Sequence, residues 1–204
     1  MDSNTNSRDR ILDAALKLFS EKGFNGTTVK EIADEAEVSK ALIYYNFESK
    51  EAILLEILDT FKEEFIKSFE KIYKKSDYSQ YYGKWKSEEI NDSLKFFNEK
   101  RRLWIVLILE SLKSSTGKGN LIHIWDELNS RTRKKMLQDR GFTLQGDLTK
   151  DIVDLFFILI PAIFFSVFKD DWLTMNEGRE EEAANESFGY ILNTIYSTFL
   201  RQKE

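Results

Sequence analysis

TTVKEIADEAEVSKALIYYNFESK, residues 27–50, divides into a short helix, a tight turn, a second short helix and the cap of a third. That order is the grammar of a helix-turn-helix, which lays one helix in the major groove of DNA. Thr28-Val29-Lys30-Glu31 fits a capping box: the Thr28 hydroxyl takes a backbone N–H and Glu31 reaches back to the cap. Ile32, Ala33 and Ala36 follow as an apolar stripe. Glu37-Val38 breaks the pattern, and Ser39 offers a second N-cap. On a wheel of about 100° per residue, Ile43 and Phe47 share an inner face with Val38. Lys40, Leu42, Tyr44 and Tyr45 are then left toward solvent or a partner. Two adjacent tyrosines on so short a helix are costly to expose without one.

A three-helix core needs a first helix, and residues upstream supply it. Ile11, Ala15 and Phe19 recur at helical spacing, with Leu12 and Leu16 beside them, which predicts an amphipathic helix from Arg8 to Lys22. Gly23 reads as its stop, with Phe24 folding back onto the helix end. Residues 1–7 are polar and read as a flexible arm rather than a targeting signal.

Three patterns now stand in order. I-L-x-A-A-L-x-L-F-x-x-x-G-F precedes T-T-V-x-x-I-A-x-x-A-x-V-S-K, which precedes Y-x-x-F-x-S-K-E. Together they resemble the N-terminal domain of the TetR (tetracycline repressor) family. The resemblance covers residues 8–54, with the remaining chain matching in length and helicity alone. It implies an N-terminal helix-turn-helix DNA-binding domain (residues 1–50) and a C-terminal helical effector-binding and dimerisation domain (51–204). It also implies that Thr28 and Lys30 begin the second helix, that Lys40, Leu42 and Tyr45 face base edges, and that Tyr44 and Lys50 grip phosphates. Lysine can donate to guanine acceptors, and leucine can touch a thymine methyl. Two departures from the pattern stand out. Glu37 occupies the turn position that glycine usually holds, which implies a left-handed residue at a cost of about 1–2 kcal/mol. Asn46 stands where an aromatic or histidine is common, so one phosphate contact is either lost there or remade by its amide.

Charge runs against a DNA partner. The chain carries a net −5, and residues 1–50 hold seven Lys/Arg against nine Asp/Glu. DNA affinity draws on counterion release by local cations, so the cations must be placed selectively. Nonspecific binding should be feeble, and specificity should rest on paired half-sites.

With 204 residues, 42% of them hydrophobic, the chain can bury a substantial core. One proline, nine glycines and long tracts of 3.6-residue periodicity predict an all-α protein. The absence of cysteine excludes disulfides and thiolate metal sites, and suits a cytoplasmic setting. A long fourth helix of about 25 residues, roughly 38 Å, starts near Ser49 and carries Ile53, Ile57, Phe61, Phe65, Phe69 and Tyr73. Residues 76–86 read as a loop or irregular start. Further helices are expected over Ser87–Ser114 and Leu121–Arg140, separated by a break with Gly117 and Gly119, the second ending at Gly141.

LFFILIPAIFFSVF, residues 155–168, looks membranous but falls short of the roughly 20 residues that a span needs. Asp151, Asp154, Lys169, Asp170 and Asp171 bracket it, so no membrane contact is expected. A helix apolar nearly all round is instead buried on two sides, by its own core and by a partner subunit. With the last helix, residues 180–202, it looks suited to the four-helix dimer interface that the resemblance implies. Leu155, Leu159, Ala162, Phe188, Leu192, Ile195 and Phe199 are its expected members.

Enzymatic readings fare badly. His123, the sole histidine, has no local cysteine or His-x-x-x-His partner, and neither a nucleophile elbow nor a Gly-rich phosphate loop is present. Acidic runs such as Glu180-Glu181-Glu182 fall at helix starts, where they suit the dipole. No metal or cofactor is expected. An effector pocket is implied by the resemblance alone, with Trp104, Glu110, His123, Trp125, Phe157, Phe164 and Phe168 as its lining; ordinary core packing is the alternative for the aromatics.

The expectation is therefore a homodimeric repressor reading a near-palindromic operator in double-stranded DNA. A small apolar or amphipathic effector would release it by pivoting the fourth helix. Two alternatives remain at this point: a regulator of the same fold with no small-molecule ligand, and a helical carrier or enzyme with a vestigial DNA domain.

Overall fold

The computed structural model describes residues 3–75, 87–113, 121–140 and 148–200, and all regular structure among them is helical. The expected loop at 76–86, the break at 115–120 and the stop at Gly141 lie outside the described residues. The elements are α1 (Ser3–Lys22), α2 (Val29–Glu35), α3 (Lys40–Asn46), α4 (Lys50–Lys75), α5 (Ser87–Glu99), α6 (Arg101–Lys113) and α7 (Leu121–Arg140). Then come α8 (Leu148–Ile152), a π-helical segment (Val153–Leu159), α9 (Ile160–Thr174) and α10 (Glu181–Leu200). The chain forms two compact units, one of residues 1–64 with 102–128 and the other of 65–101 with 129–204.

In the first unit, Ile11, Ala15 and Phe19 of α1, Ile32 of α2, Ile43 of α3 and Ile53 of α4 are all buried. Each helix thus spends its apolar stripe on one shared core. α1 begins at Ser3 rather than Arg8, taking in most of the expected flexible arm. Ser7 is buried and Arg8 is held from α4, so the first turns extend a helix that is already anchored. Gly23 ends α1 in the left-handed region at φ 74°, its N–H donating to the Phe19 carbonyl, and Phe24 packs back on Phe19 with ring centroids 5.2 Å apart. Farther along α4, Phe61 meets Trp104 of α6 edge to face at 4.9 Å, and Lys62 pairs with Glu127 of α7. The Ser111 hydroxyl on α6 accepts the N–H of Leu121, closing α7 against it.

The single helix expected over Ser87–Ser114 is two helices. The chain breaks at Lys100, whose N–H is shared between the carbonyls of Phe96 and Phe97. No glycine or proline marks this place. Leu94 and Phe97 are buried with α5, whereas Leu103, Trp104, Val106 and Leu107 are buried with α6, and the two sets belong to different units. Tertiary packing, not local preference, sets the break.

In the second unit, the 155–168 run departs from a plain helix in a second way. Val153–Leu159 is π-helical, and the N–H of Ile160 reaches back five residues to the Leu155 carbonyl. Pro161 lies in the next turn. A proline ring in an α-helix collides with the carbonyl four residues before it, and the wider turn relieves that collision. Val153, Leu159, Ala162, Ile163, Ser166 and Val167 form the buried face. Phe165 stacks on Phe188 of α10 with centroids 4.1 Å apart and planes 4° from parallel. The buried Lys169 is neutralised by Glu181 of α10, which lowers the Glu181 pKa, and it lies 3.4 Å from the Asn185 amide oxygen. Arg101, the first residue of α6, donates to the Val167 carbonyl at 2.9 Å.

Candidate nucleic-acid interface

The local chemistry of residues 27–50 is realised in detail. Thr28 sits extended at the start of α2; its hydroxyl accepts the Glu31 N–H, while the Glu31 carboxylate accepts the Thr28 N–H at 2.8 Å. The Glu31 carboxyl is drawn down to about 2, first by Lys22 and then by the Thr28 backbone and hydroxyl. Ser39 caps α3 by accepting the Leu42 N–H at 3.2 Å. Between the two helices Glu37 is left-handed at φ 51°. Arg10 of α1 spans this turn, donating to the Glu37 carbonyl at 3.2 Å and its carboxylate at 3.3 Å.

α3 presents two sides. Ile43 and the following Phe47 are buried at 1% and 4% exposure, while Tyr44 and Tyr45 stand 51% and 76% exposed. Lys40 is exposed with its Nζ 5.7 Å from the centre of the Tyr44 ring, and Leu42 is half-buried between the two sides. Lys30 is exposed on the first turn of α2. Lys30, Lys40, Tyr44 and Tyr45 therefore form the open part of the expected set.

Three members of that set are already engaged. Lys50, expected to grip phosphate, turns inward: its Nζ donates to the carbonyls of Phe24 at 2.6 Å and Thr27 at 2.7 Å and lies 4.3 Å from the Phe24 ring centre. The Phe24 carbonyl already takes the Thr27 N–H at 3.3 Å; the ammonium adds a second donor there, serves the Thr27 carbonyl, and lies over an aromatic face that suits a cation. The Thr28 hydroxyl is taken by the capping box. The Asn46 amide donates to the Leu42 carbonyl at 2.8 Å, finishing α3. Arg8 escaped the sequence reading: it holds Glu56, donates to the Asn46 carbonyl at 3.0 Å and stacks on Phe47 at 4.4 Å. Partners 38 and 48 positions away leave no local signal.

The residues expected to line an effector pocket divide between the units: Trp104, Glu110, His123 and Trp125 in the first, and Phe157, Phe164 and Phe168 in the second. Trp104 is core, 1% exposed, and the Glu110 carboxylate pairs with Lys113 one turn on at 2.9 Å. His123 is exposed and Trp125 half-buried. Phe157, Phe164 and Phe168 face outward at 44%, 46% and 52% exposure, whereas Leu159, Ala162 and Leu192, expected at a dimer interface, are buried in their own unit. The two sides of this apolar helix are thus exchanged relative to the expectation: the smaller aliphatic residues fit against neighbouring helices, and the rings are left outside. Leu155, Phe188 and Ile195 are half-buried, and the Phe199 side chain lies outside the described residues.

Among the described residues no group of three or more His, Asp or Glu could hold a metal, and no helix is long and apolar enough to cross a membrane.

Residues 11–57 match the family of bacterial regulatory proteins described as the tetR family. The segment belongs to the TetR family. Two curated relatives agree over this region. The chain is 53% identical over 49 residues to the HTH-type transcriptional regulator YuxN of Bacillus subtilis, covering 24% of this chain and 17% of that protein. It is 50% identical over 46 residues to IcaR of Staphylococcus aureus, a negative transcriptional regulator of the biofilm operon icaADBC, covering 22% of this chain and 25% of IcaR. The matched region thus spans a quarter or less of either relative. Beyond the TetR segment, the fold itself carries the likeness. The transcriptional regulator FadR of Bacillus subtilis, solved in complex with stearoyl-CoA, superposes with a TM-score of 0.57 over 96% of this chain and 99% of its own, at 18% identity.

Proposed function

We propose that the protein is a sequence-specific DNA-binding transcriptional regulator, a repressor acting in the cytoplasm as a homodimer on a near-palindromic operator. One observation carries the reading: a seven-residue helix buries Ile43 on one side and holds Tyr44 and Tyr45 out of the TetR domain on the other, beside Lys40. Large rings exposed on a short, doubly anchored helix suit insertion into a groove, where tyrosine reads base edges or sugars and lysine reaches guanine or phosphate.

Pairing of two copies is supported by the outer side of the second unit. Phe156, Phe157, Phe164, Phe168 and Trp172 are all more than 40% exposed, as are Tyr190 and Ile191 of α10. So many large apolar side chains left exposed on one unit suit an interaction site. A dimer would place two recognition helices about 34–36 Å apart, one duplex turn. The stearoyl-CoA bound by FadR supports an apolar or amphipathic effector here, and such a ligand acts only by binding one conformational state better than the other.

Gel retardation with DNA from upstream of the protein's own gene tests the reading. Sequence-dependent retardation is expected, lost in Tyr45→Ala with Lys40→Ala while size and helicity are unchanged. Absence of any sequence-dependent shift from the wild-type protein overturns it.

A further inference from the structure

The helix-turn-helix segment, residues 1–50, is nearly stripped of usable positive charge. Of its seven Lys/Arg, five are committed within the first unit. Arg8 is held by Glu56 and the Asn46 carbonyl, and Arg10 by Glu37. Lys17 pairs with Glu35 at 2.6 Å and Lys22 with Glu31 at 2.7 Å, each pair raising the lysine pKa. Lys50 is spent on two backbone carbonyls. Lys30 and Lys40 remain, both exposed and without an ion pair among the described residues.

A duplex attracts proteins largely through the counterions that their cations displace, and that attraction ignores sequence. A cation already facing a carboxylate brings little of it, because the phosphate must first displace the acid. We infer that each subunit neutralises DNA phosphates with two side chains only, Lys30 and Lys40. The intramolecular pairs then serve as a specificity device. They withhold the general affinity for polyanions and leave discrimination to the groups on α3. This inference rests on the DNA-binding reading above and says how that binding is built.

The count is measurable. Two lysines in each of two subunits give about four phosphates, and a slope of about −3.6 for log affinity against log salt. A fourfold rise in salt then costs about 150-fold in affinity on that slope. The probe is a duplex enriched from a random-sequence pool by the full-length protein, titrated by fluorescence anisotropy across salt concentrations. Lys30→Ala and Lys40→Ala should each flatten the slope by about 1.8, one phosphate lost per subunit. Lys17→Ala and Lys22→Ala should leave it unchanged, with circular dichroism confirming that every variant is folded. A wild-type slope of about −7 or steeper, or a flattening by Lys17→Ala or Lys22→Ala, would show that the internal pairs open onto DNA and overturn the inference. A slope untouched by Lys30→Ala and Lys40→Ala overturns it equally. Failure to enrich any duplex is a separate result, and removes the DNA-binding reading itself.

Discussion

The guanidinium of Arg8 on α1 holds the Glu56 carboxylate on α4 through both Nε and Nη2, one donor to each oxygen. The same group stacks on Phe47 and takes the Asn46 carbonyl at the end of α3. One side chain thus joins the first, third and fourth helices of the TetR domain. Both partners are about one-third exposed, so the pair is worth about 1 kcal/mol at most. A double-mutant cycle of Arg8→Met and Glu56→Gln in urea should yield a coupling of that size. A coupling indistinguishable from zero would reduce Arg8 to its stacking on Phe47.

Glu37 adopts a left-handed backbone in the turn between α2 and α3, at a cost of about 1–2 kcal/mol for a residue with a side chain. Glycine avoids that cost but loses more chain entropy, about 0.5–1 kcal/mol. Glu37→Gly should therefore stabilise the protein by roughly 0.5–1 kcal/mol, despite freeing Arg10, whereas Glu37→Ala should not. Denaturant midpoints of the two variants decide the matter.

The Glu31 carboxyl lies far below its ordinary 4.5, at about 2. A group whose pKa is depressed on folding stabilises the folded state fully above its unfolded value and ceases to do so as pH falls through the folded one. The stability difference between wild type and Glu31→Gln should therefore be constant above about pH 4.5 and shrink toward about pH 2. Thermal unfolding across that range measures it, and a pH-independent difference would contradict the Lys22 pairing.

Trp104 is fully enclosed, with Phe61 packed against it edge to face. Trp104→Ala should cost about 3–5 kcal/mol, as for other large aromatic truncations. An effector-lining tryptophan with free space around it would cost far less, so the size of the loss separates core from pocket.

The outer rings of α9 give opposite expectations from the inner face of the 155–168 run. Phe164→Asp with Phe168→Asp should convert a dimer to a folded monomer in light scattering, with helicity unchanged. Leu159→Asp, placing a charge in the unit's own core, should unfold it. A dimer that survives the double substitution would exclude this face as the contact.

What could be read in the chain by itself was local. The Thr28–Glu31 box, the Ser39 cap, the Gly23 stop and the inward turn of Ile43 and Phe47 depend on residues within about one helical turn, so spacing and residue type suffice to specify them. The exposure of Tyr44 and Tyr45 follows from the same periodicity.

Tertiary structure alone decided the rest. Lys50 goes inward to carbonyls 23 and 26 positions earlier, partners that no local pattern announces. α5 and α6 part at Lys100 because their apolar faces belong to different cores. The run 155–168 is apolar all round, so periodicity could not say which side is covered; the neighbouring helices take the small residues and leave Phe157, Phe164 and Phe168 outside. Where a helix carries a stripe, sequence orients it. Where it carries none, only the shapes packed against it can.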